Sequence, residues 1–67
     1  MTVAENLKYL RMKKGLSLAE VSRAVGVTRS TIQKYESGDV DIKRTMAIKL
    51  ANVYGVTPSQ IMLWDDE

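Results

Sequence analysis

The chain contains neither cysteine nor histidine. Disulfides are therefore excluded, and so are the usual zinc ligand sets. No apolar run approaches the roughly 20 residues of a membrane span. The N-terminal stretch carries Glu5, Lys8 and Arg11 with no apolar segment between them, so no signal peptide is expected. There is no Gly-rich phosphate loop and no cluster of metal ligands, so no catalytic residue, metal, cofactor or small-molecule ligand is expected. A reducing cytoplasmic compartment fits these absences.

What the chain does have is enough for one small domain. Sixty-seven residues at 45% hydrophobic content must be held together by packing alone. A domain of this size buries only about 60% of its unfolded surface. The formal charge of +2 understates the body of the chain, because Asp65, Asp66 and Glu67 come last. Residues 1–64 carry ten basic and five acidic side chains, a charge of +5. Such a balance suits a polyanionic partner, although many small domains carry it with no partner at all.

Gly15, Gly26, Gly38 and Gly55 each fall where an apolar 3.6-residue pattern stops. Thr2-x-x-Glu5, Ser17-x-x-Glu20 and Thr57-Pro58-x-Gln60 have the form of capping boxes, and Thr28 is a simpler cap. Leu16 with Val21, Val27 with Ile32 and Val56 with Ile61 form hydrophobic staples around three of these caps. Together they predict helices over 3–14, 18–25, 28–37, 43–54 and 58–63, with no strand. Asp41 or Lys43 caps the fourth. The inward stripes are Val3, Leu7 and Leu10, then Val21 and Val25, then Ile32 and Tyr35. Met46, Ala47, Leu50, Ala51 and Tyr54 complete them.

Leu18 to Ser37 is the informative stretch. Only Gly26 and Val27 separate the second helix from the Thr28 cap. So short a turn makes the pair cross steeply and leaves the third helix projecting. Ser22, one turn earlier, is small enough to let the helices approach. A plain helical hairpin has similar turns, and the whole pattern has to choose between them. With Ile32 and Tyr35 inward, the 100° step turns Ser30, Gln33, Lys34 and Ser37 outward, and Arg29 lies at the side of the first turn. This is a donor-rich face suited to base edges, with a merely solvated face as the competing reading. Arg29 opposes the helix dipole, as do Lys43 and Arg44 at the start of the fourth helix. Nearby phosphates would offset both conflicts, while Asp39 and Asp41 could instead neutralise the second pair.

The chain resembles the phage-repressor, or xenobiotic-response-element, family of helix-turn-helix domains. The residues that carry this are Leu7-x-x-Leu10-Arg11, Gly15-Leu16-Ser17, Val25-Gly26-Val27-Thr28, Ile32-x-x-Tyr35-Glu36-x-Gly38 and Leu50-Ala51-x-x-Tyr54-Gly55-Val56. The resemblance implies an all-α, lambda-repressor-like fold over residues 1–64: a compact five-helix bundle whose second and third helices form the helix-turn-helix. Residues 65–67 would be an acidic tail or the start of a linker. It further implies a sequence-specific DNA-binding regulator, a repressor by type, that reads a near-palindromic operator as a homodimer in the nucleoid. Arg29, Ser30, Gln33 and Lys34 would contact bases. Ser17, Thr28, Ser37, Lys43 and Arg44 would contact phosphates. Arg11 and Glu36 would pair as a partly buried, structural salt bridge.

Two positions depart from the family pattern. Leu18 stands where many members carry a phosphate-contacting Gln, and Asp39-Val40-Asp41-Ile42 occupies a loop that often holds a basic residue and proline. Met62-x-Trp64-Asp65 resembles the point where longer prophage repressors lead into a linker. Ile61, Met62, Leu63 and Trp64 form an apolar end; either Trp64 closes the core, or Ile61, Met62 and Trp64 provide the dimer interface. The rival to DNA binding is a protein-interaction module on the same fold, antitoxin-like or an adaptor.

Overall fold

The helix starts are set by side chains that satisfy backbone N–H groups with no partner inside the helix. At Thr2 the hydroxyl accepts from the Glu5 N–H at 3.1 Å and the Glu5 carboxylate accepts from the Thr2 N–H at 2.8 Å. Ser17 and Glu20 repeat this at 3.0 and 2.9 Å, and Thr57 and Gln60 at 3.2 and 2.8 Å. Both Glu5 and Glu20 carboxyls are held below the ordinary carboxylate range, chiefly by the backbone N–H bond each accepts.

The computed structural model describes residues 1–64; Asp65, Asp66 and Glu67, read above as a tail or linker, lie outside the described residues. Five helices follow in order: α1 (Val3–Lys13), α2 (Leu18–Val25), α3 (Arg29–Ser37), α4 (Arg44–Tyr54) and α5 (Pro58–Met62). No strand is present among the described residues. Four expected terminal residues, Lys14, Thr28, Lys43 and Leu63, stand outside as caps. Leu63 turns left-handed, with φ of 59°, and stops α5 there. Of the two candidates for the fourth cap, Lys43 occupies the position, with no side-chain bond. Ile42 is drawn into the core at 9% exposure, which leaves Asp41 outside the helix.

Leu7, Val21, Val25, Ile32, Leu50 and Ile61 meet in one core, together with Ala47, Ala51 and Tyr54. Helix α1 packs on α3 and α5, α2 on α3 and α4, and α4 on α5. The core thus leaves α3 held by its inner face alone, against α1 and α2. Asn6 adds a polar tie. It is buried, and its Nδ2 donates to the Gln60 and Ile61 carbonyls at 2.8 and 3.1 Å. A single-turn helix leaves its last carbonyls unpaired, so Asn6 fixes α5 onto α1.

Tyr54 is buried at 2% exposure. Burial, and then the nearby Glu36 carboxylate, push its phenol up to about 12. The protonated form is the one the folded state favours. Its contribution is therefore complete below the ordinary value near 10 and is lost as pH rises from about 10 to 12. Between pH 10 and 11 the loss is about 1 kcal/mol. Urea unfolding at pH 9, 10 and 11 should show this fall, and Tyr54→Phe should remove most of the slope. An identical slope in the variant would assign the alkaline loss to other groups.

Candidate nucleic-acid interface

The α2–α3 turn is built from one left-handed residue. Gly26 sits at φ of 77°, a conformation that costs roughly 1 kcal/mol or more for a residue with a Cβ. Its N–H and that of Val27 both donate to the Ser22 carbonyl, at 2.9 and 3.1 Å. The Val27 bond is the 6→1 bond of a Schellman motif and the Gly26 bond the 5→1 bond of an αL cap, and together they close α2. Ser22 is itself buried, and its hydroxyl donates back to the Ala19 carbonyl at 2.9 Å. Thr28 then restarts the helix by accepting the Thr31 N–H at 3.2 Å. Two caps separated by one residue force the change of direction.

On α3, Ile32 is 1% exposed and Tyr35 is packed against the core. Arg29, Ser30, Gln33 and Lys34 are all exposed. Every one of these four is polar, so α3 presents amide, hydroxyl and cationic donors along one edge. Arg or Lys can bond guanine O6 and N7, and Gln can bond adenine N6 and N7.

The helix starts differ in charge. Helices α1 and α2 open on an acid, Glu5 and Glu20, whereas α3 and α4 have none in the first turn. Arg29 and Arg44 instead stand at the positive ends of their helices, and Lys43 caps one of them. Among the described residues Asp39 and Asp41 form no ion pair within 4.0 Å with Lys43 or Arg44; the bridge described below is the one present. An anion outside the chain would relieve this arrangement.

The hydroxyls divide. Ser17 Oγ accepts the Glu20 N–H, which leaves its proton for an outside acceptor. Thr28 shares a proton with Thr31 across 2.9 Å. Ser37 is exposed, but its hydroxyl donates to the Lys34 carbonyl at 3.1 Å. Its proton is thus held within the helix.

Arg11 and Glu36 join α1 to α3. Arg11 Nε donates to one Glu36 oxygen at 2.8 Å and Nη2 to the other at 3.1 Å, while Nη1 donates to the Leu16 carbonyl at 2.9 Å. Their side chains are 14% and 7% exposed. The bidentate pair also bonds the loop before α2, so one guanidinium organises three segments.

The C-terminal apolar group has to be redrawn. Ile61 is 0% exposed and serves the domain's own core, so it offers no surface to a partner. Trp64 does not close the core either, since 56% of it is exposed. Met62 is half-buried. Leu63, a member of the apolar cluster but not of the expected interface set, is 43% exposed. The left-handed turn at Leu63 throws it and Trp64 outward, and only the Val56–Ile61 staple hinted at the phase.

Among the described residues no helix is long and apolar enough to cross a membrane. A family model described as helix-turn-helix matches residues 7–61. Proteins named as HTH-type transcriptional regulatory proteins in Saccharolobus islandicus and Saccharolobus solfataricus are 36% identical over 59 residues. These matches cover 88% of the chain and 19% of each relative. One of the same name type in Pyrobaculum aerophilum is 39% identical over 51 residues, 76% of the chain and 20% of that protein. The chain therefore spans about a fifth of the length of these relatives. With the family match covering most of its residues and the two-cap turn in place, the chain belongs to the Xre/lambda-repressor-type helix-turn-helix family.

Proposed function

We propose that this domain binds double-stranded DNA sequence-specifically within a transcription regulator, acting as a repressor. In this reading α3 enters the major groove. Arg29, Ser30, Gln33 and Lys34 reach base edges, while Ser17, Thr28, Lys43 and Arg44 hold phosphates. Ser37 joins them only by releasing its bond to Lys34. The observation that carries the proposal is the polar, exposed edge of α3 opposite a buried Ile32. The regulator names of the archaeal relatives support it.

The domain acts as a homodimer, with Met62, Leu63 and Trp64 contributing to the contact, on half-sites about 34 Å apart. Analytical ultracentrifugation with and without duplex should show two copies per site, and Trp64→Ala should shift the equilibrium toward monomer. Monomers alone, free and bound, would remove the dimer.

The decisive experiment is selection from a random duplex pool, followed by affinity measurements across salt concentration. The expected result is an enriched near-palindrome whose log affinity falls with log salt at about −0.9 per phosphate contact. Absence of any duplex preference at low ionic strength would overturn the reading. The exposed Leu63 and Trp64 favour a second reading, a protein-interaction module. In that case the α3 edge would be dispensable and Trp64 essential.

A further inference from the structure

Lys8, Arg11, Leu18, Gln33, Glu36 and Ser37 line one open hollow of about 300 Å³ where α1, the start of α2 and α3 meet. The Arg11–Glu36 bridge is the largely buried ion pair within it, and there the two charges cancel. Both Glu36 oxygens accept from Arg11. The other acid near Lys8 is Glu5, one turn back on α1, and its carboxylate is engaged by the Thr2 N–H. Lys8 is exposed and forms no ion pair within 4.0 Å among the described residues. The hollow thus keeps one unit of positive charge at its edge, beside the Gln33 amide. The Leu18 side chain forms an apolar wall with no hydrogen-bonding group, so the side-chain cation available to an outside anion is Lys8.

The groove geometry says which anion. A major groove is about 12 Å wide, and a helix with its side chains is about 10–12 Å across. With α3 in the groove, whatever flanks α3 on the protein side meets the sugar–phosphate walls. Helix α1 packs directly on α3, and Lys8 shares a hollow with Gln33, one of the α3 residues proposed to reach base edges.

We infer that Lys8 is a positioning residue that contacts a backbone phosphate on the α1 side of α3. This rests on α3 being the recognition helix. Lys8 and the Lys43–Arg44 pair then fix the register of α3 from α1 and from the start of α4, and Gln33 reads from between.

The test uses the 67-residue chain, the selected duplex and a random duplex. Lys8→Ala should weaken both by similar factors and reduce the log–log salt slope by about 0.9. Between 50 and 200 mM salt, its affinity should fall by about 3.5-fold less than that of the parent. Lys8→Arg should keep the parental slope, and the unfolding midpoint of both variants should match the parent. An unchanged slope in Lys8→Ala, alongside a reduced slope in Lys43→Ala, would overturn the Lys8 role and leave the DNA reading intact. Loss confined to the selected duplex would make Lys8 a base contact and overturn it as well. No duplex binding by the parent would overturn both.

Discussion

Arg11→Ala is expected to destabilise the domain by about 3 kcal/mol, the low end of what removing one partner of a buried ion pair costs. For a chain of this size that corresponds to a fall of roughly 12–24 °C in the unfolding midpoint. The reason is the group left behind. Glu36 has 7% side-chain exposure and both of its oxygens accept from Arg11. Removing the guanidinium strands a carboxylate with little water, next to the buried phenol of Tyr54. It also releases the Leu16 carbonyl, which fixes the approach to α2. The double variant Arg11→Met, Glu36→Leu should recover much of the loss, because it removes the stranded charge and restores apolar packing. Urea denaturation of the two variants measures this. A cost below about 1 kcal/mol for Arg11→Ala would place the pair with ordinary surface bridges. If the double variant proved no better than the single one, the cost would lie in lost packing rather than in the unpaired charge.

The same bridge illustrates what was legible beforehand. Its pairing was implied by family resemblance, not by spacing, since nothing local joins positions 11 and 36. Helix starts were legible because a cap and its partner lie three residues apart, and the chain alone determines their contact. The α2–α3 turn was legible for the same reason. Asn6 was not: its partners are the carbonyls of Gln60 and Ile61, more than fifty residues away. Ile42 sits among acids in a loop, and only the closed bundle shows that the loop drops it into the core. The C-terminal end went wrong through conflict between two signals. The Val56–Ile61 staple demanded an inward Ile61, while the apolar run from Ile61 to Trp64 suggested a common surface. A five-residue helix has too few turns for periodicity to decide, and the left-handed Leu63 split the run.

Within the candidate site, the legible part was which side chains α3 turns outward, because burying Ile32 and packing Tyr35 inward fixes the rotation of the whole helix. This rotation underlies the second large expectation. Arg29→Ala and Gln33→Ala should each weaken binding to the selected duplex by about 5- to 150-fold, the equivalent of roughly 1–3 kcal/mol per base contact. On random duplex, Gln33→Ala should have little effect, because a neutral amide releases no counterions. Arg29→Ala should lose somewhat more there, through its charge. Lys43→Ala should behave oppositely, weakening selected and random duplex alike and reducing the salt slope by about 0.9. The contrast follows from chemistry: base edges differ from pair to pair, whereas phosphates repeat along every duplex. Quantitative binding of the three variants to matched and base-substituted duplexes tests the assignment. In particular, base substitutions at the position read by Gln33 should cost the parent affinity and cost Gln33→Ala almost none. Equal losses for Gln33→Ala on both duplexes would mean that α3 is held near DNA without reading it, and the sequence-specific part of the proposal would fall.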